Sequence, residues 1–132
     1  MKVSIEIQSD GTYIAYNTDG EHVQIIGTGN TVTEAKDDFF NSIEEVKADY
    51  RERGGVVPKE LFAEVEFHFE LSSFFEYFPM FNVSALGRYL GINSSLMRQY
   101  KQGATPISDA QLAKIEDGLH RLSRDLASLT LV

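Results

Sequence analysis

Residues 63–71 read AEVEFHFEL, and this alternation constrains the fold more than any other stretch of the chain. Ala63, Val65, Phe67, Phe69 and Leu71 share one parity, while Glu64, Glu66, His68 and Glu70 share the other. Successive side chains on a strand point to opposite faces, so the pattern predicts a strand with one buried and one wet side. Such a strand needs partners, and they lie near the N-terminus. Val3, Ile5 and Ile7 alternate with polar neighbours, Asp10-Gly11 signals a hairpin, and Thr12 to Asn17 is rich in aromatic and β-branched residues. Asp19-Gly20 marks a second turn, and His22 to Thr28 predicts a third strand. Turns this short make an antiparallel meander.

Between the meander and the last strand the period changes. Thr31 and Glu34 form a capping-box pattern, and Val32, Ala35, Phe39, Ile43, Val46 and Tyr50 recur at three- and four-residue steps. Asp37, Asp38, Glu44, Glu45, Asp49 and Glu52 occupy the other side, and Gly54-Gly55 stops the helix. The first 71 residues therefore read β-β-β-α-β. The acidic helix side is either a solvated face or a docking face for a basic protein.

Two features of this half resemble ligand sites. Gly27-Thr28-Gly29-Asn30 precedes a helix as a phosphate loop does, but it lacks dinucleotide or Walker spacing and a following lysine, so a strand-to-helix turn is expected. The Glu64, Glu66, His68 and Glu70 row carries metal-ligating residue types. Same-face neighbours on a strand are about 7 Å apart, however, which suits a solvated or partner-facing surface better than one ion.

The charge is divided unevenly. Residues 1–71 hold 15 acids and 6 bases, whereas residues 72–132 hold 5 acids and 6 bases. From Asn82 to Ser108 there are Arg88, Arg98 and Lys101 and no acid. That split predicts two domains, 1–71 and 72–132, facing different partners. The joint from Ser72 to Phe81 is too apolar for a flexible linker and predicts a packed helical turn ending at Pro79.

Asn82 caps a short helix carrying Ala85, Leu86, Tyr89 and Leu90, with Gly87 inside it where another helix has to come close. Gly91-Ile92-Asn93 is a tight turn, and Ser94 to Gln102 starts a second helix ending at Gly103. Two helices joined by three residues including glycine predict a helix-turn-helix. Ile92, Met97 and Tyr100 then pack inward. Ser94, Ser95, Arg98, Gln99, Lys101 and Gln102 face outward as candidate DNA contacts, with Arg88 beside them. Arg and Gln make bidentate contacts to guanine and adenine, and hydroxyls donate to phosphate. A helical hairpin without DNA function is the alternative.

Ser108 caps a last helix in which Leu112, Ile115, Leu119, Leu122, Leu126 and Leu129 fall at alternating steps of three and four. The seam either covers the helix-turn-helix core in cis or pairs two copies of the chain.

Both halves together resemble the HicB family, the antitoxins of HicA–HicB toxin–antitoxin systems. The resemblance rests on Thr12-Tyr13-Ile14-Ala15-Tyr16, on GTGNTVTEA at residues 27–35, and on LGRYLGINSSLMRQYKQG at residues 86–103, the last looking like the helix-turn-helix of lambda-repressor-like regulators. Where HicB-like chains often carry a Pro-Asp turn, this sequence has Asn17-Thr18-Asp19-Gly20. The resemblance implies an α+β chain, a partial RNase H-like domain followed by an all-α helix-turn-helix domain. It further implies an antitoxin and autorepressor that binds a small basic HicA-type mRNA-cleaving toxin, dimerises or assembles further, and binds operator DNA. For the toxin face the acidic helix nominates Asp37, Asp38, Glu44 and Glu45. A stand-alone regulator without a toxin is the alternative, and a nuclease a distant third.

Zero cysteines exclude disulfides and thiolate metal sites and fit a reducing, cytoplasmic setting. Met1-Lys2 leads straight into a strand pattern, so no signal peptide is expected. No run approaches the ~20 apolar residues of a membrane span. Neither a cofactor nor a catalytic residue is expected.

Overall fold

A computed structural model describes all residues, Met1–Val132, as a mixed α+β chain with four strands and five α-helices. It divides into two compact units, Met1–Ser73 and Phe74–Val132. The division falls two residues beyond the boundary expected from charge, inside a helix.

In the N-terminal unit β1 (Lys2–Ile7), β2 (Tyr13–Asn17), β3 (Ile26–Gly29) and β4 (Glu66–Phe69) form one sheet in the order β3-β2-β1-β4. β1, β2 and β3 pair antiparallel as a meander, whereas β4 lies parallel to β1, with Val3 opposite Phe67 and Ile5 opposite Phe69. A parallel return needs a crossover, and α1 (Val32–Glu52) supplies it. Val32, Ala35, Phe39 and Ile43 of α1 are buried with Val3, Ile5, Ala15, Ile25 and Leu61 in one core. Phe39 meets Phe67 edge to face at 5.9 Å.

Gly27 lets this layer close. A Cβ there would stand 2.6 Å from Phe39 Cα and overlap the Phe39 nitrogen and the Ala35 carbonyl oxygen. The helix backbone rests directly on β3.

At the start of α1, Thr31 Oγ1 accepts from the Glu34 amide at 3.1 Å. The Glu34 carboxylate accepts from the Asn30 amide at 2.7 Å, so the return bond of the capping pattern lands one residue before the cap. Farther along, Asp38 accepts from the Thr28 amide at 2.7 Å, and Ser42 Oγ donates to the Ile26 carbonyl at 2.8 Å. Gly54 takes the left-handed conformation just after the helix.

Two expected strands are shorter than their patterns. His22 to Ile25 form a loop, and β3 starts only at Ile26. The buried Asn17 side chain bridges that loop, donating to the Val23 carbonyl at 2.8 Å and accepting from the Ile25 amide at 2.7 Å. Glu60 accepts from the Glu21 and His22 amides at 3.1 and 3.0 Å. Side chains here take the place of a ladder. The 63–71 pattern contracts to β4, because its partner β1 begins only at Lys2 and a 3-10 turn, Lys59–Phe62, precedes it. Leu71 opens α2 (Leu71–Tyr77) instead of ending the strand, and Ser73 Oγ there accepts from the Ile7 amide at 3.0 Å.

The C-terminal unit holds α3 (Val83–Leu90), α4 (Ser94–Gln102) and α5 (Asp109–Ala127). Leu86, Leu90, Ile92, Met97, Tyr100 and Ile115 are its buried hydrophobic side chains on and between these helices. Phe74 packs with Phe78 and Phe81 at 5.1 and 5.9 Å, an aromatic cluster where the sequence predicts a packed joint. No helix is long and apolar enough to cross a membrane.

Candidate nucleic-acid interface

The placement of α4 follows from its neighbours. Asn82 accepts from the Ala85 amide at 2.9 Å and caps α3; Asn93 accepts from the Ser95 and Leu96 amides at 2.8 and 3.3 Å and caps α4. Gly91 between them has φ of 71°, which an L side chain rarely adopts. A Cβ at Gly87 would lie 2.7 Å from Met97 Cγ and 3.1 Å from the Ile92 carbonyl oxygen, so its absence lets α4 cross close over α3. From α5, Lys114 Nζ donates to the Gly91 carbonyl at 3.0 Å. With Met97 and Tyr100 buried, the opposite side of α4 is fixed outward.

Ser95, Arg98, Gln99, Lys101 and Gln102 are exposed on α4, and Arg88 is exposed on α3. Ser94 departs from the expectation. It is half-buried, and its hydroxyl donates to the Ser84 carbonyl at 3.1 Å, so it ties α4 to α3. Arg98 is also drawn toward α3: its Nη1 donates to Ser84 Oγ at 2.8 Å. Gln99 turns the other way and accepts from Thr105 Oγ1 at 2.8 Å. Arg98, Lys101 and Gln102 line an open groove of about 460 Å³ together with Phe81, Asn82, Val83 and Ser84. No carboxylate lines it. Ser84 is the residue that sequence reasoning missed, because its role depends on how α3 crosses α4 and no spacing along one helix carries that.

The other candidates are dispersed. On α1, Asp37 and Glu45 are exposed, but Asp38 is half-buried on the Thr28 amide, and Glu44 pairs with Lys47 at 3.0 Å. Of the leucine seam, Ile115 is buried, Leu119 and Leu122 are half-buried, and Leu112 and Leu126 are exposed. Leu129 lies past the end of α5, so the helix carries one seam position fewer than the spacing predicts.

The glycine turn at residues 27–30 is already filled. The Thr28 and Asn30 amides that a phosphate would engage are bonded to Asp38 and Glu34. On the sheet face away from α1, Glu66 and His68 approach to 3.5 Å, and no group of three or more acidic or imidazole side chains is set to hold a metal ion. Tyr16 donates to Glu6 on that face. This bond, and then partial burial, raise the Tyr16 phenol above the ordinary tyrosine value. A second open groove, about 520 Å³, is lined by Asp19, Glu21, His22 and Glu60 among others, and its charge repels phosphate.

Comparison with protein families, with curated proteins and with solved structures found no match to this chain.

Proposed function

We propose that the chain is a DNA-binding regulator that also neutralises a partner protein: an antitoxin and autorepressor of the HicB kind. In this reading α3 and α4 are a helix-turn-helix and α4 lies in the major groove. The single observation that carries it is the outward face of α4. Ser95, Arg98, Gln99, Lys101 and Gln102 stand exposed on a helix held from both sides, in a segment free of acids from Asn82 to Ser108. A fixed cationic helix face matches the negative backbone of a duplex, and its glutamines suit base edges.

For the N-terminal unit we propose a small basic protein partner of the HicA type. Residues 1–73 carry 15 acids and 6 bases, and a one-sign surface favours an opposite-sign partner. The crossover that lays β4 parallel to β1 supports reading this unit as partial RNase H-like. Asp37 and Glu45 are the candidates free of internal bonds to other groups on α1, and they are favoured over Asp38 and Glu44. The exposed Leu112 and Leu126 make α5 the candidate pairing surface of a homodimer. No reaction is assigned to the chain.

The test is fluorescence anisotropy of the full chain on the DNA upstream of its own gene and on scrambled DNA, over a salt series. Selective binding that weakens with salt is expected. A folded sample without selective binding overturns the regulator reading. Co-expression with a short basic neighbouring open reading frame tests the second half. Rescue of growth supports the antitoxin, and indifference leaves a stand-alone regulator.

A further inference from the structure

We propose that the groove between α3 and α4 is a seat for one backbone phosphodiester, and that Arg98 grips the DNA backbone instead of reading a base; this rests on the DNA-binding reading above. A base-reading arginine must extend from its helix so that two N–H groups meet guanine O6 and N7. Arg98 does not extend. Its guanidinium is drawn back across α4 to Ser84 Oγ at 2.8 Å, on the side where α3 begins. The bond uses one of its N–H donors and leaves the others for an anion.

Lys101 stands three residues on, a helical neighbour on the same side, and lines the same groove. Two cations without a carboxylate between them repel one another, and a bound anion removes that repulsion. Ser84 adds to the seat, since a hydroxyl that accepts from Arg98 still has its own proton to donate. The opening of about 460 Å³ is wide enough for a phosphate with its flanking sugars. Sequence discrimination then falls to Gln99, which turns away from the groove, its carboxamide oriented by Thr105 at 2.8 Å.

The variants Arg98→Ala, Lys101→Ala, the double variant and Gln99→Ala test this in the full chain, by anisotropy on upstream and scrambled DNA over a salt series. All three positions are exposed, and thermal melts matching wild type verify the fold. Arg98→Ala and Lys101→Ala are expected to lose equal factors of affinity on both DNAs. Each lost phosphate contact removes about 0.9 from the slope of log affinity against log salt, about 3.5-fold less sensitivity over a fourfold salt range. Gln99→Ala is expected to lose affinity on upstream DNA alone, and Ser84→Ala to follow Arg98→Ala in part.

Loss on upstream DNA only in Arg98→Ala makes Arg98 a base reader and overturns the proposal while leaving the regulator intact. An unchanged salt slope in the double variant overturns it as well. A wild-type chain that binds neither DNA overturns both the regulator and the phosphodiester seat. Inorganic phosphate distinguishes the other source of the same chemistry. A saturable shift of the Arg98 side-chain NMR signal at submillimolar phosphate, without any salt-slope change on DNA, assigns the groove to a free anion and overturns the phosphodiester reading.

Discussion

Replacing Gly27 by alanine adds one methyl group and is expected to separate the two layers of the N-terminal unit. The added carbon would sit 2.6 Å from Phe39 Cα and overlap main-chain atoms of Phe39 and Ala35. Main-chain atoms inside a helix cannot rotate away, so α1 has to retreat from β3 by roughly an ångström. A gap of that size forfeits about a quarter to a half of the dispersion energy of each contact across it. The contacts involve Phe39, Ala35, Ile5 and Ala15, all with no exposed surface. Overpacking alone costs about 1–3 kcal/mol, more where the neighbour is rigid, and the loosened core adds to it, giving about 3–5 kcal/mol. With a urea m-value of about 1–3 kcal/mol/M the midpoint falls by at least about 1 M. NMR-monitored urea titration is the assay, because amide signals report each unit separately. Gly118→Ala supplies the contrast. Its added carbon also overlaps an atom, but that atom is Cδ2 of the rotatable Leu90 side chain, and alanine gains about 1 kcal/mol over glycine within a helix. Gly118→Ala should therefore stay within about 1 kcal/mol of wild type. A Gly27→Ala variant as stable as wild type, or a Gly118→Ala variant equally damaged, would refute the distinction between rigid and rotatable neighbours.

Asn17→Ala strands the Ile25 amide and the Val23 carbonyl and should cost about 2–4 kcal/mol, read as faster hydrogen exchange over residues 22–28. Asn93→Ala removes the cap of α4 and should cost about 1 kcal/mol, whereas Asn93→Gly costs a few tenths; exchange of the Ser95 and Leu96 amides distinguishes them. The raised value of Tyr16 means that its contribution to stability is fully present below pH ~10, the ordinary tyrosine value, and is lost as pH rises through the folded-state value. Tyr16→Phe should therefore flatten the alkaline decline of the urea midpoint for the N-terminal unit, and an unchanged decline would assign it to other groups.

What the sequence made legible was local. Caps at Thr31, Asn82 and Ser108 each accept from the amide three residues on, so these bonds follow from the local sequence. The meander, the helix that follows it and the α3–α4 pair likewise follow from period and turn residues, whereas the parallel placement of β4 against β1 does not. That His22 to Ile25 form a loop was not legible, because a buried Asn17 and a distant Glu60 outbid the ladder for its amides. The length of β4 depends on where β1 begins, not on its own alternation. At the candidate interface the exposed residue types were readable from α4 alone. That Ser94 is spent on α3, and that Arg98 leans toward Ser84, depends on the angle between two helices and so escaped a reading along the chain.

The bonds that α1 makes to β3 also govern aggregation. β3 is an outermost strand, and such a strand ordinarily offers free amides and carbonyls to any extended chain that drifts past. Here the Thr28 amide is closed by Asp38 and the Ile26 carbonyl by Ser42. An incoming strand would have to strip both side chains from the backbone before it could pair at these two groups, which raises the cost of growth into a fibril or a sheet shared between molecules at this border.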